Sequence, residues 1–265
     1  MSANTSNSSS SSSSSPNKGL RAVITGGTGA IGRELVCELL LSSHWEKITL
    51  IGRSKYNYPE KINTEEYEKQ GKLIQHVVDM EQLADHKTEL LQYFQNNDAA
   101  FCCLGTTHGD AGSMAKFRRV DFDYVDATAY AAEQAKIPYF AHVTAQGTGG
   151  FINNLTNYGR TKAAIENKIQ SYQFPCATIY RPGLLNRGSL LRPGESFVIN
   201  YLPIVPSIDV GIIGKALRID AEKFLKPIIN NISNVSTSPT TISNTTSTPA
   251  FHIIEHNDIY NHAKE

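Results

Sequence analysis

The chain has 265 residues, 40% hydrophobic and 19% charged, enough for one globular domain with a sizeable core. Lysine plus arginine and aspartate plus glutamate each number 25, so no net field recruits nucleic acid or an acidic membrane. No apolar run approaches the ~18 residues that span a bilayer, and no charged-then-apolar leader opens the chain, so neither a transmembrane segment nor secretion is expected. Cys37, Cys102, Cys103 and Cys176 lack zinc-site spacing and read as small buried hydrophobes in a reducing compartment, which points to the cytoplasm.

Residues 1–17 are nearly all Ser with some Asn and predict a disordered tail, with a single domain over 18–265. Ala22-Val23-Ile24 predicts a buried strand that breaks into Gly26, Gly27, Gly29 and Gly32. A helix follows, with Ile31, Leu35, Val36, Leu39 and Leu40 on one face and an end at Ser42-Ser43. A second strand runs over Lys47–Ile51, and a polar loop from Ser54 to Lys72 carries some helix at Thr64–Lys69. Leu73–Asp79 reads as strand three, Leu83, Leu90, Leu91 and Phe94 as one helix, and Ala99–Leu104 as strand four. The segment from Gly105 to Gly112 is too glycine-rich to be helical. A long helix then carries Val120, Tyr124, Ala127 and Ala131, and strand five spans Pro138–Val143. A helix over Tyr158–Tyr172 precedes strand six at Ala177–Tyr180. Phe197, Tyr201 and Leu202 fall in a small substrate lobe at about 183–210, and Ile229–Pro249 reads as a disordered Ser/Thr/Asn-rich insertion. A last strand, Ala250–Glu255, and a helix, Asn257–Lys264, end the chain.

Alternating strands and helices imply a doubly wound parallel sheet of the Rossmann type with a small C-terminal substrate lobe. Its strand ends gather the glycine turn, Arg53, the loop after Leu104, Thr144 and Arg181 on one edge. Strand, glycine turn and helix in that order make a dinucleotide site built from Gly26, Thr28, Gly29, Ala30, Ile31 and Gly32. An NAD site presents an acid about 20 residues later; here stand Gly52-Arg53-Ser54-Lys55, whose charges suit a 2′-phosphate and favour NADP(H). Asp79 is placed to accept from the adenine amine, and equally to cap a helix. Leu104 and Gly105 follow strand four, where backbone lines the ribose and nicotinamide; Leu185 and Arg192 are weaker cofactor contacts. The scattered histidines offer no metal site.

Tyr158 and Lys162 are four residues apart and share a helix face. An ammonium beside a phenol favours the phenolate, fitting the pair to exchange a proton with a small carbonyl or alcohol substrate. Thr144, after strand five, is the third catalytic candidate, with Thr148 as its rival.

These motifs resemble the short-chain dehydrogenase/reductase superfamily, and within it the atypical Tat-interacting oxidoreductase family, described as metastasis suppressors. The resemblance is carried by Ile48–Arg53, Val78-Asp79, Phe101-Cys102-Cys103-Leu104-Gly105-Thr106-Thr107, Arg119-Val120-Asp121, Asp123-Tyr124-Val125, Tyr158 with Lys162, Arg181-Pro182-Gly183 and Arg192-Pro193-Gly194-Glu195. It spans Arg21–Ile228 and implies NADPH binding, a Tyr/Lys site and, through the family's links to transcription and nuclear transport, a protein partner and a nuclear pool. This chain departs from the family's Ser-Ser after strand five with Thr144-Ala145, and has a longer segment before Tyr158. Two functions follow: an NADPH-dependent oxidoreductase, or an NADPH-binding redox sensor that controls a protein partner without turnover. A sugar-nucleotide epimerase or dehydratase shares the Tyr/Lys pair but needs a larger lobe than the one after Gly183.

Overall fold

The computed structural model describes residues 19–85, 88–151, 155–187, 206–234 and 249–264. The expected tail at 1–17, most of the expected lobe, Arg192, and the part of the insertion at 235–248 lie outside the described residues.

Strands β1 (Leu20–Thr25), β2 (Trp45–Gly52) and β3 (Leu73–Val77) are followed by β4 (Ala99–Cys102), β5 (Tyr139–Val143) and β6 (Cys176–Arg181). With the late β9 (Ala250–Glu255) they form one seven-stranded parallel sheet in the order β3-β2-β1-β4-β5-β6-β9. A two-stranded parallel sheet joins β7 (Leu184–Asn186) to β8 (Ser207–Asp209). Helices α1 (Ala30–Leu41) and α9 (Val210–Asn234) cover one face of the large sheet, and α7 (Tyr124–Gln134) and α8 (Asn157–Gln170) the other. The strands read as unbroken apolar runs because successive side chains enter opposite cores: Ile24 packs with Leu35, Leu39, Ile213 and Leu217, while Val23 packs with Val125, Ala129, Ile165 and Ile169. Each fully buried aliphatic side chain contributes about 1.5–3 kcal/mol of transfer free energy.

The strand order reverses between β1 and β4, so the crevice beyond their carboxyl ends is the ligand position of this architecture. Short helices α2 (Thr64–Lys69), α3 (Met80–Ala84), α4 (Thr88–Leu91), α5 (His108–Ala111) and α6 (Met114–Arg118) fill the connections.

Several sequence expectations change here. The helix expected across Leu83–Phe94 is broken into α3, α4 and a 3-10 turn at Gln92–Phe94. The glycine-rich loop carries one helical turn, α5: Ala111 N donates to Thr107 O, Asp110 N donates to Thr107 Oγ1, and only Gly109 lies inside the turn. The long helix before strand five is interrupted by a π-helical turn, Arg119–Asp123, between α6 and α7. Helix α9 was not anticipated and runs six residues into the expected insertion, to Asn234; its packing against α1 holds the helix, which continues past Pro227 despite the backbone hydrogen bond that proline removes.

Candidate functional site

Gly26 leaves β1 at φ +77°, and a Cβ there would sit 2.5 Å from the carbonyl carbon of Cys103. The turns after β1 and β4 therefore touch backbone to backbone at the switch point. A Cβ on Gly32 would fall 2.1 Å from Gly26 O, so only glycine lets α1 start this close to the turn. Helix α1 opens at Gly29 without a side-chain cap and without an acid in its first turn. Its first N–H groups and the positive end of its dipole thus face the crevice free to bind an anion.

The crevice has two halves. One, of about 630 Å³, is lined by Gly26, Thr28, Gly29, Arg53, Ser54, Leu104 and Gly105 among others. The second, of about 360 Å³, shares Gly29, Leu104 and Gly105 and adds Ala30, Ile31, Thr144, Tyr158, Lys162 and Leu185. Arg53 is exposed and pairs with no carboxylate among the described residues, whereas Lys55 reaches Glu68 at 3.7 Å. The first half also holds Glu81, which accepts from Arg119 and, at 2.5 Å, from the Tyr124 hydroxyl. Those bonds hold the Glu81 carboxyl below its ordinary range.

Thr156 caps α8 by accepting from Gly159 N at 2.9 Å, and that helix carries Tyr158 and Lys162 to the second half. Tyr158 is 37% exposed, and its ring stacks on Phe117 of α6 with centroids 5.3 Å apart. Lys162 Nζ lies 5.9 Å from the Tyr158 ring centre. It also forms a buried ion pair with Asp121 at 2.7 Å, their side chains 5% and 0% exposed. The π turn aims Asp121 inward, where its other oxygen accepts from Thr106 N at 2.8 Å and so ties the β4 loop to the pair. Burial opposes the Lys162 charge, but Asp121 outweighs it, with Tyr158 adding to the effect, and the ammonium is held above the ordinary lysine range.

The Thr144 hydroxyl donates to Glu166 Oε1 at 2.5 Å, one helical turn beyond Lys162. Arg181 donates to both Glu166 oxygens and, through Nη1, to Glu255 of β9. These bonds raise Arg181 above its usual value, the Glu166 bond most. Beneath them His142 Nδ1 donates to Cys102 O, 2.8 Å away, and burial with the nearby Lys162 lowers the ring to about 3.

Asp79 does not line the crevice: it caps α3 by accepting from Glu81 N at 3.0 Å, and Met80 and Glu81 line the wall instead. Thr148 lines neither half and spends its hydroxyl on Ala145 O at 2.7 Å. Asp121 and Glu166 carried no role in the sequence reading. Asp121 stood in a family motif, and Glu166 follows Lys162 by four residues, the one spacing signal that pointed to it.

The family model described as NAD(P)H-binding matches residues 26–195, from the glycine turn through the site helix. Protein HTATIP2 of Rattus norvegicus is 33% identical over 184 residues, covering 69% of this chain and 70% of the rat protein. This chain belongs to the NAD(P)H-binding family that includes Protein HTATIP2. Protein FMP52-2, mitochondrial, of Scheffersomyces stipitis is 31% identical over 166 residues, covering 62% of this chain and 66% of its own length. The chain thus spans about two thirds of such relatives. Among solved structures it is similar in fold to a dTDP-glucose 4,6-dehydratase (DesIV double mutant) of Streptomyces venezuelae with NAD bound, at TM-score 0.60 and 14% identity, covering 91% of this chain and 90% of that one. A UDP-N-acetylglucosamine 4-epimerase of Methanobrevibacter ruminantium M1 has TM-score 0.59 and 17% identity, covering 90% and 86%. At these identities the likeness is one of fold. The expectation of a cytoplasmic protein is corrected by the fungal relatives, several of which are named mitochondrial. The free thiols, Cys37, Cys102 and Cys176 buried and Cys103 half-buried, are compatible with either compartment and could not discriminate. No helix among the described residues is long and apolar enough to cross a membrane.

Proposed function

We propose that this protein is an NADPH-dependent oxidoreductase that interconverts a carbonyl and an alcohol, with Tyr158 as the proton-exchanging group. The observation that carries this reading is the continuity of the crevice: the phosphate-sized turn at one end and Tyr158 with Lys162 at the other share Gly29, Leu104 and Gly105. The fit to a dinucleotide rests on the side-chain-free cradle at Gly26 and Gly32 and on the uncapped start of α1. When bound, the nicotinamide supplies or accepts the hydride.

The chain's own residues do the rest. Glycine-turn N–H groups would hold the pyrophosphate, and Arg53, just after β2 and with no carboxylate partner among the described residues, would offer a planar fork to a 2′-phosphate. Lys162, kept charged by Asp121, places a positive charge beside the Tyr158 ring. Tyr158 passes its phenolic proton to or from the substrate oxygen. Phe117 stacks on the ring and restricts where the hydroxyl points.

Tyr158→Phe keeps the stack and removes the hydroxyl. We expect at least 100-fold lower turnover with cofactor affinity unchanged, a loss of the size that general acid catalysis contributes, roughly 10²–10⁴. Full turnover in the variant on any substrate refutes the role. Arg53→Asp should weaken NADPH far more than NADH; equal loss of both removes the 2′-phosphate argument. Cofactor binding without consumption across a carbonyl and alcohol panel would instead favour the redox-sensor reading.

A further inference from the structure

A further cavity lies outside both halves of the crevice and shares only His76 with the first. Strand alternation puts Lys47 and Thr49 of β2 and His76 of β3 on the sheet face that carries Ile51, with Ile51 opposite His76. There they meet the turn that leads from the 3-10 helix into β4, and a pocket of about 350 Å³ lies between them. Its wall is preformed. His76 stacks on Tyr93 with ring centroids 3.8 Å apart, and the Asn97 amide nitrogen donates to the carbonyls of Tyr93, Phe94 and Gln95, clamping the turn. The charge is one-sided. Arg21, Lys47 and His76 line the pocket, and no carboxylate does. Arg21 is spent on Glu46, whereas Lys47 pairs with no carboxylate among the described residues. The Lys47 field reaches its neighbour: burial first, and then that charge, lower His76 below the ordinary imidazole range. The His76 nitrogens and the side-chain amides of Gln95 and Asn96 make no hydrogen bond among the described residues, so donors and acceptors border the cation.

We propose that this pocket is a second binding site, for a small phosphate monoester that carries hydroxyl groups, with the phosphate on Lys47 and the hydroxyls on the amides of Gln95 and Asn96. Lysine meets phosphate as a compact point charge, and side-chain amides both donate to and accept from hydroxyls. A phosphate monoester suits the pocket better than a carboxylate. It approaches two negative charges near neutral pH, and two positive charges await it once His76 takes up a proton beside Lys47. The volume, about 350 Å³ against about 630 Å³ for the first half of the crevice, sits at the lower end of small-molecule sites and leaves room for a sugar-sized body rather than a dinucleotide. The site goes beyond the oxidoreductase reading and does not depend on it.

The test uses the full chain loaded with NADPH and freed of excess, so that the crevice is already occupied, at one fixed ionic strength. Glucose 6-phosphate, inorganic phosphate and glucose are titrated in turn. The His76 ring signals, assigned by their loss in His76→Gln, are followed by NMR. Glucose 6-phosphate should saturate, move those signals and raise the His76 titration midpoint, because a bound anion offsets the Lys47 charge. Inorganic phosphate should bind more weakly, and glucose should leave the ring unmoved. Lys47→Met should weaken glucose 6-phosphate at least about tenfold, the worth of one charge-assisted hydrogen bond, and Lys47→Arg should restore most of the affinity. Glucose 6-phosphate affinity that Lys47→Met leaves unchanged overturns the proposal, as does equal affinity for glucose 6-phosphate and inorganic phosphate. If Lys47→Met does not fold, the wild-type titration decides, since His76 signals that stay still under glucose 6-phosphate overturn the proposal without any variant. Turnover is not read, so the oxidoreductase reading stands or falls separately.

Discussion

Asp121→Ala leaves Lys162 buried beside the crevice without its counter-ion. At 2.7 Å, and with an effective dielectric of about 20, the direct attraction amounts to roughly 6 kcal/mol before desolvation is subtracted. The net cost of removing one member of such a buried pair is about 3–5 kcal/mol, a large part of the ~5–15 kcal/mol that holds a domain together. The sign of the pH dependence identifies the cause. In wild type the Lys162 pKa is raised, so the pair's contribution is fully present below the unfolded lysine value of ~10.5 and is lost as pH climbs through the folded one. In the variant, burial, the largest cause, is opposed by Tyr158 but no longer by Asp121, and it lowers the folded value. The unfolded chain then binds the extra proton, and the variant gains stability as pH rises toward ~10.5. The gap between the two proteins should therefore be widest near pH 7 and shrink by pH 10. Urea titrations followed by the single tryptophan, Trp45, which is buried, measure both proteins at both pH values. Asp121→Asn keeps an acceptor for Thr106 N and separates the lost charge from the lost loop contact. A penalty below about 1 kcal/mol, or one equal at pH 7 and pH 10, would refute the reasoning.

Two further predictions concern the turn and the buried imidazole. Gly32→Ala places a methyl where 2.1 Å separates it from Gly26 O, so the turn must shift; NADPH affinity should fall at least 100-fold by isothermal titration, and wild-type affinity would show that helix and turn can part cheaply. His142, lowered to about 3 by burial, should show no ring-proton titration by NMR between pH 4.5 and 8. Because the unfolded imidazole protonates near 6.5, this residue costs stability as pH falls below that value, by about 1.4 kcal/mol per pH unit. A titration midpoint near 6 would contradict the burial argument.

The parallel strands could be read from the chain because burial on both faces makes apolar runs such as Ala99–Cys102 unmistakable. The glycine turn was equally plain, since Gly26 and Gly32 each answer a steric demand that no other residue meets. Helix α9 was hidden because its inner face is not wholly apolar: Arg218 and Glu222 are buried there, pairing with each other and with Glu38, Ser42 and Trp45. Periodicity weighs such residues as surface. The π turn adds a residue to a helical repeat without any compositional mark, and through it Asp121 reaches Lys162. Asp79 shows the opposite failure: a residue at a suggestive distance from the turn answered a local need, capping α3, before any ligand. The Thr144 hydroxyl donates to Glu166, which Arg181 also holds, and no spacing rule brings residues of three different elements together in this way.

The edge strand β9 has a temporal consequence. Glu255 grips Arg181, and His256 Nδ1 accepts from Gly183 N, so a segment 73 to 74 residues later in the chain braces the crevice floor. During synthesis the nucleotide cradle near the amino end can form early, but the floor stays unbraced until Glu255 and His256 have cleared the ribosome. A nascent chain stalled after Asn234 would present half a site, able to cradle phosphates before it can orient anything beside Tyr158.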